Sequence, residues 1–148
     1  MSDKYESLQK KFNLPSITDL EKEFGLELKN HHPNKIIKEI TEIFLDNSRL
    51  LESIIFLDSG SPPSSFYEAS MIREKEIDAF SLYKELMSTY WKGKKALLSD
   101  EKQKADFISK SFTKWKKIKQ ELTKIFDTFE NEWPNVTFRE GGETLYHG

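Results

Sequence analysis

The feature that most constrains the fold is a row of apolar residues between Ser99 and Trp133, spaced three or four positions apart. Its members are Ile108, Phe112, Trp115, Ile118, Leu122, Ile125, Phe129 and Trp133. This spacing places all of them on one side of an α-helix of about nine turns. Because a helix of that length must bury its apolar side against other helices, the sequence predicts a helical domain.

The N-terminal part of the chain predicts one short helix after a loose segment. Residues 1–15 are polar and end in a proline, so we expect a flexible N-terminus there. A short helix over residues 19–24 follows, with Ser16 or Thr18 as its cap and Gly25 as its stop.

Two long helices are predicted in the middle of the chain. The first begins at Pro33 and ends before Asp58, and Asn47 falls within its apolar row, where a buried amide would fix the helix register. The second spans residues 73–98 and contains Gly93, which either permits close helix contact or marks a kink. Its inward side is predicted to consist of Ile77, Phe80, Tyr83, Leu86, Met87, Tyr90, Trp91 and Leu97.

The tail after Pro134 changes from a helical to an alternating pattern. Residues 135–140 and 143–147 flank Gly141-Gly142, which favours a β-hairpin, with a tail of no fixed structure as the alternative. The predicted fold is all-α: an antiparallel bundle of three long helices plus a short N-terminal helix, and a C-terminal β-hairpin if the tail is ordered. The corresponding divisions are a flexible N-terminus (1–15), a helical bundle (16–133) and a C-terminal tail or β-hairpin (134–148).

Charge is distributed unevenly along the chain. The formal net charge is -2, yet residues 92–124 carry eleven lysines against four acidic residues, a local net charge of +7. A basic helix face of this kind either contacts phosphates or keeps the surface solvated. The lysines that are candidates for nucleic-acid binding are Lys92, Lys94, Lys95, Lys110, Lys114, Lys117 and Lys124.

Several classes of protein are disfavoured. The chain has no cysteine, which excludes disulfides and thiolate chemistry, and its glycines form no phosphate-binding loop. The histidines His31, His32 and His147 lie outside the predicted helix interiors, so neither a metal nor a cofactor is expected. The first residues lack the apolar core of a signal peptide, and we expect a cytoplasmic protein without membrane association.

The interpretation that fits best is a non-enzymatic interaction module whose partner is another protein. Phe66 and Tyr67, which follow a Pro- and Ser-rich loop, and Phe138 and Tyr146 in the tail are candidate partner-binding residues, although Phe66 and Tyr67 would alternatively cover the core. A second interpretation is an accessory RNA- or DNA-binding protein that uses the lysines. A third is an enzyme whose site is assembled only by the fold. The oligomeric state is left open.

Four segments resemble a family of small archaeal helical proteins. They are Leu14-Pro15 before a short Glu-Phe helix, Tyr67-Glu68, Leu82-Tyr83-Lys84-x-Leu86-Met87, and Asp106-Phe107-Ile108…Trp115…Leu122. The resemblance covers most of residues 14–133 and excludes the tail. It implies a helical fold and an archaeal source, and it implies no activity.

Overall fold

The computed structural model describes residues 4–137, and every regular element in that range is helical. The elements are α1 (Lys4–Phe12), α2 (Ile17–Phe24), α3 (Pro33–Ile55), α4 (Pro63–Glu74), α5 (Ala79–Ala96), α6 (Glu101–Glu132) and a 3₁₀ turn (Trp133–Asn135). Helices make up 78% of this range and no strand occurs in it, which confirms the all-helical prediction. The predicted hairpin lies almost entirely outside the described residues. None of the helices in residues 4–137 combines the length and hydropathy that crossing a bilayer requires.

Helix α1 lies within residues 1–15, which the sequence predicts to form a flexible N-terminus. Tyr5 and Leu8 are both buried, and the Tyr5 hydroxyl donates a 2.6 Å hydrogen bond to the carbonyl of Pro15. Burial raises the pKa of the Tyr5 phenol, and nearby Asp19 adds to this effect. Tyr5 and Leu8 are three positions apart and therefore lie on the same side of α1. These two residues form a buried apolar side even though the segment as a whole is polar.

The ends of α2 and α6 are set by short polar side chains. Ser16 caps α2, and Gly25 ends it with a left-handed φ of 66°, as the sequence predicts. At α6 the cap is Asp100, whose side chain accepts a 2.9 Å hydrogen bond from the Gln103 amide. Ser99, one residue earlier, donates a 2.8 Å hydrogen bond to the Lys95 carbonyl in the preceding helix.

The helix predicted over residues 73–98 corresponds to α5, which begins six residues later than predicted, and residues 73–74 belong to a separate helix, α4. Helix α4 ends at Glu74 and α5 begins at Ala79. Between them Glu76 has a left-handed φ of 55°, and the side chain of Asp78 caps α5 by accepting a 3.0 Å hydrogen bond from the Ser81 amide. Within α5 the predicted inward face is only partly correct: Leu86 is buried and Tyr83 and Tyr90 pack against the core, whereas other members of the predicted face are exposed.

The apolar row of α6 is the inner side of that helix, as predicted. Five of its eight members are buried and Phe112, Phe129 and Trp133 are partly buried. Trp115 lies between two aromatic rings, with ring centroids 6.0 Å from Phe24 and 5.6 Å from Phe44. Its Nε1 also donates a 2.9 Å hydrogen bond to the Glu23 carbonyl. Trp115 therefore joins α6 to both α2 and α3.

The first half of α3 packs closely against the end of α5. A Cβ added to Gly93 would lie 2.7 Å from Thr41 Oγ1 and 2.9 Å from Phe107 Cζ. Because α5 continues unbroken through this position, the glycine serves close contact and marks no break. Asn47, expected in the buried row, is only half-buried, and its amide donates to the Ile43 carbonyl of its own helix.

Candidate interaction surfaces

Six of the seven predicted lysines border one open groove between α5 and α6, with a volume of about 1300 Å³. Helix α5 contributes Lys92 and Lys95, and α6 contributes Lys110, Lys114, Lys117 and Lys124. Lys94 does not line the groove. The fold therefore brings together two lysine clusters that the sequence could assign only to separate helices.

The groove has an apolar floor that includes Leu82 and Ile118. Two small polar residues, Thr89 and Ser111, are buried beside them. Their hydroxyls donate to carbonyls of their own helices, at 2.9 Å for Thr89 and 3.2 Å for Ser111. Because these donors are already engaged, the floor contributes mainly apolar contact surface.

The rim of the groove carries both signs of charge, since its lining includes seven lysines and five carboxylates. The closest pair that crosses from α5 to α6 is Glu85 with Lys114, at 2.8 Å. The hydrogen bond from Lys114 holds the pKa of the Glu85 carboxyl below its usual value, and the positive charge of Lys114 acts in the same direction. A carboxylate held ionised in this way is a poor proton acceptor.

Two other lysines of the groove are paired within α6. The Lys110 ammonium lies 3.0 Å from the Asp106 carboxylate, and the Lys124 ammonium lies 2.9 Å from the Glu121 carboxylate. Lys92, Lys95 and Lys117 have no carboxylate within 4.0 Å among residues 4–137. The basic side predicted from the sequence is thus partly neutralised by neighbouring acids.

The histidines His31 and His32 lie away from this groove, at the start of α3. Nδ1 of His32 accepts a 3.1 Å hydrogen bond from the Asn34 amide, so His32 caps the helix. Nε2 of His31 lies 2.9 Å from the Leu28 carbonyl oxygen. Both rings line a separate cavity of about 550 Å³ together with Lys4, Asn30, Asn34, Lys35 and Lys38. Within residues 4–137, no three His, Asp or Glu side chains form a group that could hold a metal ion.

The two predicted partner-binding residues that the structure describes, Phe66 and Tyr67, differ in exposure. Tyr67 is half-buried in α4, with its ring 5.7 Å from that of Trp133. The indole of Trp133 donates a 3.0 Å hydrogen bond to Glu68, so Tyr67 helps to cover the end of α6. Phe66, beside it, is 37% exposed. The predictions for Phe138 and Tyr146 fall outside the described residues.

A cluster of exposed aromatic residues joins the end of α3 to the start of α5. Phe56 and Phe80 are 54% and 48% exposed, with ring centroids 6.3 Å apart. Tyr83 contacts both rings, at 5.4 Å and 6.4 Å. Its hydroxyl donates a 2.8 Å hydrogen bond to Glu52, which raises the pKa of the Tyr83 phenol. Phe80 is predicted to point inward, and that prediction is wrong.

The same side of α5 carries further large apolar residues. Trp91, also predicted to point inward, is 60% exposed. Leu98, in the turn after the helix, is 91% exposed. We call this side the outer face of α5 and define it by Phe80, Lys84, Met87, Trp91, Lys94 and Leu98. Sequence reasoning missed it because its large residues resemble a core row more closely than the actual inner side does.

Comparisons of the chain with known protein families, with curated proteins and with solved structures find no match.

Proposed function

We propose that the chain is a non-enzymatic interaction module that binds another protein. The observation that carries this proposal is the exposure of Trp91 and Phe80 on one side of a helix. Single exposed apolar residues are common, but tryptophan and other aromatics on one rigid face are the side chains that most often dominate binding energies. Burying such a side chain fully is favourable by about 1.5 to 3 kcal/mol.

We also infer that α3, α5 and α6 form the antiparallel bundle of three long helices expected from the sequence. The order of contacts supports this arrangement: early in α3, Thr41 lies beside Gly93 near the end of α5, and late in α3, Glu52 bonds to Tyr83 near its start. The connection between α5 and α6 is only residues 97–100. Such a bundle would hold the outer face of α5 rigid, which lowers the entropy cost of binding.

The proposal is tested by photo-crosslinking in the cells that produce the protein. A photoreactive amino acid replaces Phe66, Trp91 or Lys117, one position per variant. We expect a discrete protein adduct from an apolar surface position, and we expect it to survive nuclease treatment. Adducts that are only nucleic acid, or no adduct at any of the three positions, would contradict the proposal.

RNA or DNA binding through the groove is the alternative function. Lys92, Lys95 and Lys117 support it because no carboxylate among residues 4–137 lies within 4.0 Å of them. The five carboxylates in the lining weaken it, since they would repel a phosphate backbone. An electrophoretic shift assay in low salt tests this function, and loss of any shift when the three lysines become glutamine would support it. No shift at micromolar protein would remove the hypothesis.

The third function, an enzyme with a site assembled only by the fold, has less support. The groove brings carboxylates and lysines together, but among residues 4–137 no histidine lines it. We retain the cytoplasmic location and the resemblance to archaeal helical proteins as parts of the proposal. Neither of them suggests a substrate for an enzyme.

A further inference from the structure

Helix α5 carries two rows of residues with the same helical spacing. The inner row is Leu82, Leu86, Thr89, Gly93 and Ala96, and all five are buried. The second row is the outer face of α5, whose members follow one another at intervals of four and three positions. It starts two positions before the inner row, which on a helix corresponds to a rotation of about 200°. The two rows therefore lie on opposite sides of α5.

The apolar members of the outer face extend along the whole helix. Phe80, Trp91 and Leu98 are about half exposed or more, and Met87 is half-buried between them. Within α5 the row runs from Phe80 to Lys94, about 21 Å or four helical turns, and Leu98 extends it in the turn that follows the helix. Apolar residues at this spacing match those on one side of a second helix packed alongside. The length and the spacing both suit a helical ligand.

The charged residues of α5 decide what kind of helix fits. The only acidic side chain in α5 is Glu85, and it is directed to α6 by its ion pair with Lys114. Lys84 and Lys94 belong to the outer face, and Lys84 Nζ lies 5.1 Å from the centroid of the Phe80 ring. Neither lysine has a carboxylate within 4.0 Å among the described residues. The members of the outer face of α5 therefore combine apolar contact with positive charge, and the acids nearest to it, Asp78 and Glu52, lie at the Phe80 end.

A second copy of the chain fits this face poorly. In an antiparallel pairing that sets Phe80 opposite Leu98, Lys84 of one copy meets Lys94 of the other, and in a parallel two-fold pairing each lysine meets its own equivalent. Like charges opposed across an interface cost several kcal/mol. Both orientations thus disfavour self-association and favour a partner that carries negative charge.

We propose that the outer face of α5 binds an amphipathic helix of another protein, with apolar residues at intervals of three and four and with Asp or Glu beside them. This proposal rests on the protein-binding function proposed above and specifies its partner. Trp91, at the middle of the row, is the main apolar contact, and Lys84 and Lys94 select the acidic partner.

The test uses three synthetic helical peptides and the full chain. The first peptide has leucines at the required spacing flanked by glutamates, the second has lysines in place of the glutamates, and the third has alanines in place of the leucines. Binding is measured by titration calorimetry. We expect only the first to bind, and we expect Trp91→Ala to weaken its binding by about tenfold or more. Phe126→Ala removes a similarly exposed ring from α6 and should leave binding unchanged.

Charge reversal supplies a second test that does not depend on Trp91. The double variant Lys84→Glu/Lys94→Glu should lose the acidic peptide and bind the basic one. Equal binding of the acidic and basic peptides, no binding of the acidic peptide at its solubility limit, or dimers abolished by Trp91→Ala would each overturn the proposal. If cellular crosslinking captures a protein at position 66 and not at position 91, the proposed protein-binding function is supported. The proposal that the outer face of α5 is the binding site is then wrong.

Discussion

Replacing Gly93 with alanine tests how closely α3 and α5 pack. In an exposed helix the change would stabilise by about 1 kcal/mol, because alanine is the better helix former. Here the new methyl group would lie 2.7 Å from Thr41 Oγ1 and 2.9 Å from both Thr41 Cγ2 and Phe107 Cζ. Both neighbours are buried, and a β-branched threonine has little rotamer freedom to move aside.

Forcing a methyl group into a packed core costs about 1 to 3 kcal/mol. We expect the upper part of that range because three contacts fall below 3.0 Å. After the helix gain is subtracted, Gly93→Ala should lower the free energy of unfolding by about 2 kcal/mol, or the melting temperature by about 4 to 8 °C.

Urea unfolding followed by circular dichroism measures this change. The control is Gly60→Ala, an exposed loop position where the nearest side-chain atom is an ordinary 3.4 Å from the added Cβ. In the double variant Thr41→Ala/Gly93→Ala the main clash disappears, so its loss of stability should be smaller than the sum of the single losses. A Gly93→Ala protein that is about 1 kcal/mol more stable than the wild type would refute the close packing.

Three further predictions concern the core, one helix cap and pH. Ile118→Asp should prevent folding, since an unpaired buried charge costs several of the roughly 5 to 15 kcal/mol that stabilise a domain, and the exposed Gln120→Asp should retain its circular dichroism spectrum. Asp100→Ala should cost about 1 kcal/mol in thermal unfolding through the lost cap of α6, whereas Ser99→Ala should cost less than about 0.5 kcal/mol. Because burial raises the pKa of Tyr5 in the folded state, its contribution to stability is complete below the unfolded pKa of about 10 and is lost as pH rises above it. Tyr5→Phe should therefore be about 1 kcal/mol less stable at pH 7 in urea unfolding, with the difference narrowing above about pH 10, and a constant difference would contradict this reasoning.

Helix α6 could be predicted because a single physical signal governs it. Its buried side is continuous and consists of large residues such as Ile108, Trp115 and Ile125. The helical spacing of these apolar residues can therefore be recognised from the sequence of α6 alone. Gly25 is predictable for a similar reason, since the left-handed conformation it adopts is a local property of the backbone.

Helix α5 could not be predicted in the same way. Its buried side includes Thr89, Gly93 and Ala96, which have small or polar side chains because α3 and α6 approach closely. Trp91 and Phe80 are larger and more apolar, and a pattern based on hydrophobicity assigns them to the core. The packing of neighbouring helices, which a local pattern does not contain, decides which side is buried.

The sequence predicts most of the lysines that line the groove, but it does not predict the acidic residues that offset their charge. The sequence places Lys114 and Lys117 on the basic side of α6, and the structure shows that side facing a groove. Glu85 comes from α5, and only the packing of the two helices brings it to 2.8 Å from Lys114. Ion pairs between residues distant in sequence depend on that geometry, so charge counting overestimates the basic potential.

Two of the three tryptophans lie in clearly different environments and can serve as optical probes, while the third, Trp133, is partly buried. Trp115 is 7% exposed in the core, whereas Trp91 is 60% exposed on α5. A solvent-exposed indole fluoresces at longer wavelength and is open to a soluble quencher such as iodide, while the core indole is shielded. In a Trp133→Phe protein, which removes the third indole, emission from Trp91 thus reports occupancy of the outer face of α5, and emission from Trp115 reports the integrity of the fold. The molecule separates binding from unfolding within a single spectrum.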